Sequence, residues 1–273
     1  MMTMRTVDDM KQLASGTPSF RIKACGPFLV ERWDGSSYQS IPTRAWDGNT
    51  SRLLLKALLC APDRYAKRGK LLEDLWPDIP PKDSATQLNN VVYKLRRVLR
   101  RNPTEESLLL TGDHASCYRL ANQQQIWVDA DAALTLLTRA EEVERQGGDP
   151  LPLLEQAACL LSRGEFLEGE EELWAHGRRR TISDMWHGCR LWQARLYERR
   201  SEVRRAELLL RALLEENRLD EDALRQLMLN LHQQERTSEA LRLYETIAKH
   251  LAEDRREPTE MTKAIWLQLR SET

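Results

Sequence analysis

From residue 129 to the end of the chain, apolar residues recur with helical spacing, and glycine and proline are rare. The pattern is interrupted near the stretches QGGDP, SRGEF and RLDED, which carry turn-forming residues. Apolar residues three and four apart lie on one face of a helix, so the segments between these breaks predict amphipathic helices. The second half of the chain is therefore predicted to be all-α.

Part of this helical half repeats at an interval of 34 residues. Four positions recur in order, namely Tyr197, Ala206, Leu210 and Leu213 as Leu231, Ala240, Tyr244 and Ile247. This is the period of the tetratricopeptide repeat, in which each helix pair buries its apolar face against a neighbouring pair. Because the prolines usual at the end of that repeat are missing, we predict degenerate tetratricopeptide-like repeats. The alternative is a helical bundle with accidental periodicity.

The first half of the chain predicts a different architecture. Residues 1–17 lack periodicity and are expected to form a flexible arm, whereas SFRIKACGPFLVERWDGSSYQSIP carries short β-rich pieces separated by Gly–Pro and Asp–Gly turns. SRLLLKALLCAP and AKRGKLLEDLWPD then switch to helical spacing, and both segments stop at a proline. We therefore predict a small N-terminal sheet followed by two short helices.

A third helix and a hairpin complete this half. Ser84 followed three residues later by Gln87 matches a capping box, which predicts that the third helix begins at Ser84. SLLLTGDHASCYRLA predicts two strands around a Gly–Asp turn. The predicted fold class is thus mostly α, with a winged helix-turn-helix domain and its small β-sheets at residues 18–122 and an all-α tetratricopeptide-like domain at residues 123–273.

The third helix, within SATQLNNVVYKLRRVLRR, has two chemically distinct faces. Its apolar side chains gather on one side, which is wide enough to pack on a core: Leu88, Val91, Val92, Leu95, Val98 and Leu99. The opposite face collects Thr86, Asn89, Asn90, Tyr93, Lys94, Arg96, Arg97, Arg100 and Arg101. Five basic side chains without an acidic one repel each other, and a bound polyanion would relieve that repulsion. The alternative is a merely solvated basic face.

Residue types on the polar face are graded along this helix. A hydroxyl and short amides come first, at Thr86, Asn89 and Asn90, and the cations follow. Asn makes bidentate contacts to adenine and Thr reaches base edges, whereas Arg and Lys neutralise phosphates or read guanine. We therefore predict that the first turns of the helix enter the DNA major groove and that the later cations contact the backbone.

Charge and composition agree with a polyanion-binding half joined to a half with another role. The net charge is −1, but residues 1–121 hold 19 Lys and Arg against 13 Asp and Glu, and residues 122–273 hold 22 against 29. No apolar run approaches the roughly 18 residues of a membrane span, and MMTMRTVDDM lacks the apolar stretch of a signal peptide. We expect a cytoplasmic protein with no membrane partner, associated with the nucleoid when bound to DNA.

Residues for other chemistry are missing from the sequence. The chain contains no G-x-x-x-x-G-K-[ST], G-x-G-x-x-G or H-E-x-x-H motif, so we expect no catalytic site and no bound cofactor. His176, His187 and Cys189 lack zinc-finger spacing, which favours structural or surface roles over a metal site. The run from Arg178 to Arg180 is interpreted as pairing with the nearby EGEEEL, and the alternative is DNA contact.

Taken in order, these segments resemble a known pair of domains. The N-terminal sheet, SRLLLKALL, KLLEDLWPDIPP, ATQLNNVVYKLRRVL and the hairpin ending in CYRL resemble the OmpR-type winged-helix DNA-binding domain. The phrase L-x-x-x-V-x-x-L-R-R, from Leu88 to Arg97, is similar to the recognition-helix signature of that group. WVDADAALTLL, RGEFLEG and SEALRLYETIAKHLAEDRREPTEMT resemble the bacterial transcriptional activator domain. This order is typical of the Streptomyces antibiotic regulatory protein type of transcription factor.

That resemblance implies a function and a set of partners. It implies a transcriptional regulator, an activator by family type, that binds direct repeats in double-stranded promoter DNA and contacts RNA polymerase. A homodimer on DNA is a further expectation. The rival interpretation is a tetratricopeptide-like adaptor whose winged helix has come to bind protein.

One segment departs from the family pattern. Where the wing usually carries Arg-Gly-x-Gly-Tyr, this chain has His114, Ala115, Ser116, Cys117 and Tyr118. Tyr118 remains as a packing residue, whereas the arginine and both glycines are missing, and His114 is the candidate for a phosphate contact. We therefore expect DNA binding to depend more on the third helix than on the wing.

Overall fold

The computed structural model describes residues 16–100, 107–112 and 116–272, with only the backbone described at residues 81 and 82. Its strands are β1 (Phe20–Lys23), β2 (Leu29–Trp33), β3 (Tyr38–Ser40), β4 (Tyr65–Lys67), β5 (Leu109–Thr111), β6 (Cys117–Leu120) and β7 (Ile126–Val128). Its helices are α1 (Thr50–Cys60), α2 (Arg68–Leu75), α3 (Pro81–Val98), α4 (Asp129–Arg145), α5 (Leu151–Leu161), α6 (Leu173–Arg199), α7 (Val203–Glu216), α8 (Glu221–Gln233), α9 (Thr237–Glu253) and α10 (Glu260–Ser271).

The described residues form two compact units. The first contains the described residues up to Thr135 together with Cys159–Ser183, and the second contains Leu136–Ala158 and the described residues from Asp184 onward. The predicted arm lies almost entirely outside the described residues, and the predicted boundary between residues 122 and 123 stays a prediction. Within the described part of the chain, no helix is both long and apolar enough to cross a bilayer.

The predicted N-terminal sheet is present, with the strand order β3-β2-β1-β7. Phe20 of β1 lies opposite Arg32 in the antiparallel pair with β2 and opposite Ile126 in the parallel pair with β7. Phe20 and Ile22 are fully buried whereas Arg21 between them is exposed, so one face of β1 packs on the core. Strand β7 was not predicted, because pairing between strands more than 100 residues apart leaves no local sequence pattern.

The predicted succession of helices and hairpin is confirmed. Helices α1, α2 and α3 pack on one another, and β5 and β6 form the antiparallel hairpin that follows them. Strand β6 also pairs with the short strand β4, which gives a second sheet of order β4-β6-β5. Three helices with this small sheet constitute a winged helix-turn-helix.

The start of α3 corrects one prediction. The helix begins at Pro81, three residues before Ser84, and proline suits a first helical position because its fixed φ is helical and its missing N–H is not needed there. The Ser84 hydroxyl donates to the carbonyl of Pro80 at 3.2 Å, one turn back. The capping-box prediction is therefore wrong: Ser84 lies inside the helix.

A short segment after α5 extends the N-terminal sheet. The Gly26 N–H donates to the carbonyl of Glu165 at 2.8 Å, and the Leu167 N–H donates to the carbonyl of Ala24 at 2.7 Å. Gly26 has a φ of +77°, and a Cβ there would lie 2.3 Å from the Arg163 carbonyl oxygen. Only glycine fits this approach, so RGEFL in the sequence is a docking segment for the end of β1.

Asp129, the first residue of α4, connects that helix to the same end of β1. Its fully buried carboxylate accepts backbone N–H groups from Ala24 at 2.9 Å, Cys25 at 3.1 Å and Ala130 at 2.8 Å, and pairs with Arg163 at 3.2 Å. Burial raises the pKa of this carboxyl, and the backbone bonds oppose that shift. Asp129 thus stabilises the start of α4 and its attachment to the sheet.

The predicted 34-residue repeat is confirmed in the helical half. All eight positions identified in the sequence are buried. Ser201 and Glu235, which are 34 residues apart, adopt positive φ angles of 61° and 60° at corresponding turns between helices. In both turns the next N–H donates to the carbonyl five residues earlier, at 2.8 and 2.9 Å. The turns before α7 and α9 therefore share one conformation, a common helix ending that also follows α9 at Arg255.

Candidate nucleic-acid interface

The apolar face of α3 is buried, as the sequence predicts. Leu88, Leu95 and Leu99 are fully buried, and Val91, Val92 and Val98 are at most 7% exposed. This packing fixes the rotation of the helix about its axis. The opposite face is therefore held outward in one orientation.

A strip of side chains remains exposed along the outer face of α3. It consists of Thr86, Asn90, Tyr93 and Arg97, hereafter the outer strip, whose spacings of four, three and four residues follow one helix face. Within the described residues, none of these four side chains has a hydrogen-bond or ion-pair partner. The ring of Tyr93 is 64% exposed, which is unusual for a large aromatic side chain. The outer strip is therefore free to contact a ligand.

Two of the predicted cations are instead engaged within the protein. Lys94 Nζ lies 3.3 Å from the Asp47 carboxylate and donates to the carbonyl of the same residue at 3.1 Å. Arg96 donates through Nε to the carbonyl of Leu109 at 3.4 Å and through Nη2 to the hydroxyl of Thr111. Lys94 thus braces α3 against the loop before α1, and Arg96 braces it against β5. Their roles as DNA contacts stay predictions.

The cations beyond the end of α3 differ in how they are placed. Arg100 is half-buried, its carbonyl accepts from Arg32 Nη1 at 3.3 Å, and its Nε is buried without a hydrogen-bond partner in the described part of the chain. Arg101 and His114, both predicted to contact DNA, lie outside the described residues. The predicted DNA contacts of Arg101 and His114 therefore stay predictions.

Asn89 differs from its neighbours because its side chain has a partner. Arg68, the first residue of α2, donates from Nη1 to Asn89 Oδ1 and to the hydroxyl of Tyr118, both at 3.0 Å. Its Nη2 donates to the carbonyl of Ala85 at 3.1 Å. Half-buried Arg68 thus joins α2, α3 and β6 at the edge of the outer strip. The sequence analysis missed it, because nothing local distinguishes Arg68 from the other basic residues of this half.

The arginine run on α6 is only partly as predicted. Arg178 pairs with Asp131 at 2.7 Å and Arg179 pairs with Glu165 at 3.3 Å, whereas Arg180 is exposed without a partner among the described residues. The ion-pair interpretation is confirmed for two arginines. The carboxylates that pair with them belong to α4 and the docking segment, although Arg179 also donates to the backbone carbonyl of Glu170 within EGEEEL.

The remaining candidate ligand residues occupy structural or surface positions. His187 Nε2 lies 2.6 Å from the carboxylate of Asp220, which also accepts backbone N–H groups at the start of α8. His176 is exposed, and burial raises the pKa of the Cys189 thiol to about 12. In the described part of the chain, no group of three or more His, Cys, Asp and Glu side chains is arranged to hold a metal ion.

Comparison with protein families identifies both parts of the chain. A model of the bacterial transcriptional activator domain matches residues 128–270, more than half of the 273 residues. The chain belongs to this family. A model described as transcriptional regulatory protein, C terminal, matches residues 48–119, which contain α1, α2, α3 and the hairpin. In this activator-domain protein, the segment that matches the regulatory-protein model therefore precedes the activator domain.

A solved structure shows the same fold over almost the whole chain. It is that of Mycobacterium tuberculosis EmbR in complex with a low-affinity phosphopeptide, with a TM-score of 0.74 and 19% sequence identity. The match covers 93% of this activator-domain protein and 65% of the EmbR chain, so this chain spans about two thirds of its neighbour's length. No curated protein matches the sequence.

Proposed function

We propose that this protein activates transcription by placing the outer strip of α3 in the major groove of promoter DNA. The observation that carries the proposal is that the outer strip is exposed and has no partner among the described residues, whereas Lys94 and Arg96 brace the helix from its sides. The major groove is about 12 Å wide and admits an α-helix. A helix anchored on its apolar face and braced on its flanks is preorganised to enter it.

The order of residues along the outer strip supports a division of roles. Thr86 and Asn90 carry short polar groups that reach base edges, and Arg97 lies about 16 Å along the helix axis from Thr86. A helix that enters the groove by its first turns brings its last turn to the phosphate backbone. Tyr93 lies between them, where its ring contacts sugars or the thymine methyl group. We therefore assign base reading to the first turns and backbone contact to Arg97.

The partners of the helical half are a second part of the proposal. Stacked tetratricopeptide-like helices present continuous surfaces to other proteins, and the net charge of this half is negative. We propose that this half contacts RNA polymerase. We also propose that two copies of the protein bind adjacent direct repeats in the DNA, and that the protein has neither a catalytic site nor a cofactor. Crosslinking to RNA polymerase on a bound promoter would test the first contact, since it should vanish when the helical half is deleted.

The experiment for DNA binding starts from genomic fragments, because binding to the protein is used to select the operator sequence. Fragments retained by the full chain are sequenced, and affinity for the enriched duplex and a scrambled duplex is measured over a series of salt concentrations. We expect selective binding whose affinity falls steeply with salt. The combined substitution of Thr86, Asn90 and Arg97 by alanine should abolish that selectivity while leaving the fold intact.

A protein-binding adaptor is the second candidate function. The observations that favour it are the wing residues at 114–117, which lack the family's arginine and glycines, and the exposed ring of Tyr93. If the folded protein enriches no fragment and binds all duplexes equally weakly, independent of salt, the adaptor is the better explanation.

A further inference from the structure

We propose that Arg68 fixes the side-chain amide of Asn89 so that Asn89 reads DNA as a hydrogen-bond donor. Arg68 acts here as a positioning residue, and Asn89 as the residue that meets the base. The inference rests on the proposed function, since it takes the first turns of α3 to face base edges. It replaces the bidentate adenine contact that the sequence alone suggests for Asn89.

The orientation of the amide follows from the chemistry of its partner. A guanidinium group has five N–H donors and no acceptor. The atom of Asn89 that lies 3.0 Å from Arg68 Nη1 must therefore be the oxygen, because the amide NH₂ there would bring two donors face to face. The opposite orientation loses a charge-assisted hydrogen bond, so Arg68 prevents the amide from flipping.

The fixed amide presents one kind of atom to a ligand. Asn89 is exposed, and its Nδ2 has no partner within the described residues, so both of its protons are available. A bidentate contact to adenine requires the amide oxygen to accept from N6 while the nitrogen donates to N7. In this protein Arg68 occupies one of the two lone pairs of the oxygen, so the partly positive N6 group would have to use the other lone pair beside a cation, and the repulsion between the two donors disfavours it.

The preferred base edge is therefore one that offers acceptors without the donor that adenine carries at N6 beside its N7 acceptor. Guanine presents N7 and O6, and thymine presents O4, in the major groove. We expect Asn89 to select guanine or thymine over adenine at one position of the site. This base preference depends on α2 as well as on α3, because Arg68, which holds the amide oxygen of Asn89, is the first residue of α2.

Arg68 is itself held in place by two further groups of the protein, which are not proposed to contact DNA. Its Nη1 also donates to Tyr118 in β6, and its Nη2 donates to the carbonyl of Ala85. Tyr118 is only 2% exposed, so this anchor lies inside the winged helix. Three partners fix the plane of the guanidinium and leave it little freedom to release Asn89.

The test measures base preference with the full chain. A duplex selected from random sequence by the wild-type protein is substituted with each base at each position, and relative affinities are measured for wild type, Arg68→Met and Asn89→Asp. Arg68→Met keeps the length of the stem and removes the donors. It should raise affinity for adenine relative to guanine or thymine by about 2- to 10-fold at one position, the discrimination expected of one hydrogen bond.

Asn89→Asp separates donation from acceptance. A carboxylate retains the contact to Arg68 and cannot donate, so the preference at that position should be lost although the fold is kept. Asn90→Asp, the neighbouring residue on the outer strip, introduces the same charge and controls for repulsion by phosphates. Tyr118→Phe removes one of the three partners of Arg68 without touching Asn89, and should shift the base profile in the same direction as Arg68→Met but by less. Thermal unfolding of each variant checks the fold.

Three outcomes would overturn the inference. An Arg68→Met protein that weakens binding to all duplexes equally, with an unchanged base profile, would make Arg68 a backbone contact or a purely structural residue. An Asn89→Asp protein that keeps the wild-type preference would show that Asn89 acts as an acceptor. If the wild-type chain selects no sequence at all, the proposed DNA-reading function itself fails, and the inference falls with it.

Discussion

At the residue scale, Arg97 is the cation of α3 that is best placed to meet a phosphate. It ends the outer strip, is exposed and is unpaired within the described chain. Arg97→Ala should weaken binding to cognate and scrambled duplexes alike and lower the slope of log affinity against log salt by about 1. Binding titrations over a salt series measure both effects.

Arg180 provides a matched control for Arg97. It is also an exposed arginine without a partner among the described residues, but it lies on α6 outside the winged helix. Arg180→Ala should leave the salt slope unchanged. Equal slopes for wild type and Arg97→Ala would exclude a backbone contact by Arg97.

Asn89 should show the opposite behaviour. Asn89→Ala removes a base contact and no charge, so the salt slope and nonspecific binding should stay nearly constant. Affinity for the cognate duplex should fall by roughly 1 to 3 kcal/mol, the usual discrimination of a good base contact. Competition between cognate and scrambled duplexes measures the difference, and a loss of the same size for both would argue against Asn89 as a base reader.

The composition of the candidate site was predictable from the sequence, but the partners of its side chains were not. The helical wheel correctly placed Lys94 and Arg96 away from the apolar face. It gave no sign of Asp47, Leu109 and Thr111, which engage these cations from loops and strands 13 to 47 residues away. A periodic pattern predicts the direction in which a side chain points. Whether that side chain is free to bind a ligand depends on contacts that the tertiary fold creates.

At the element scale, the same distinction separates predicted from unpredicted structure. The helices α1, α2 and α3 follow from local apolar spacing, and β5 and β6 follow from alternation around a turn. Strand β4 has only three residues, and β7 exists because β1 offers an open edge more than 100 residues earlier. The start of α3 was misplaced because a serine three residues before a glutamine occurs inside helices as well as at caps.

A cluster of charged groups joins α7 to the beginning of α9. Glu207 on α7 accepts from Arg236 at 2.7 Å and from Gln234 at 3.1 Å, and pairs with Arg211 at 2.8 Å. Burial raises the pKa of Glu207, but these hydrogen bonds outweigh burial and hold it below its ordinary value of 4.5. The ionised carboxylate therefore stabilises the repeat.

The sign of this shift predicts how stability depends on pH. The contribution of Glu207 is fully present above pH 4.5 and is lost as the pH falls through the lowered pKa of the folded state. Glu207→Gln should therefore be less stable than wild type near neutral pH, and the difference should shrink as the pH falls below 4.5. Thermal unfolding over that pH range measures it.

Glu215 on the same helix serves as the control. It is exposed and has no side-chain hydrogen bond or ion pair to another described residue, so Glu215→Gln should follow the wild-type pH dependence. If Glu207→Gln and wild type lose stability in parallel as the pH falls, Glu207 does not carry the effect.

At the scale of the whole molecule, the chain past residue 122 contributes to the fold of the winged-helix half. Ile126 and Val128 of β7 are at most 1% exposed against β1, and Asp129 bonds to two backbone N–H groups at the end of that strand. Burial of an aliphatic side chain contributes about 1.5 to 3 kcal/mol and a hydrogen bond to a charged group about as much. A fragment of residues 1–122 lacks all of these contributions.

Two fragments test this dependence. Residues 1–135 should unfold at a clearly higher temperature than residues 1–122, because a difference of several kcal/mol is a large part of the stability of a small domain. Circular dichroism during heating measures both transitions. Asp129→Ala in the longer fragment should give an intermediate value, and equal transition temperatures for all three would mean that β7 and Asp129 add nothing.

The parallel pairing of β1 with β7 also sets an order of events during synthesis. Strand β1 leaves the ribosome before β7, and one of its edges has no partner until roughly 100 further residues have been added, which takes on the order of 5 to 20 s. The docking segment, whose Leu167 bonds to Ala24, emerges later still. A nascent chain therefore cannot complete the sheet of order β3-β2-β1-β7 until translation has entered the activator domain, and a chain truncated before β7 lacks the strand that covers one edge of β1.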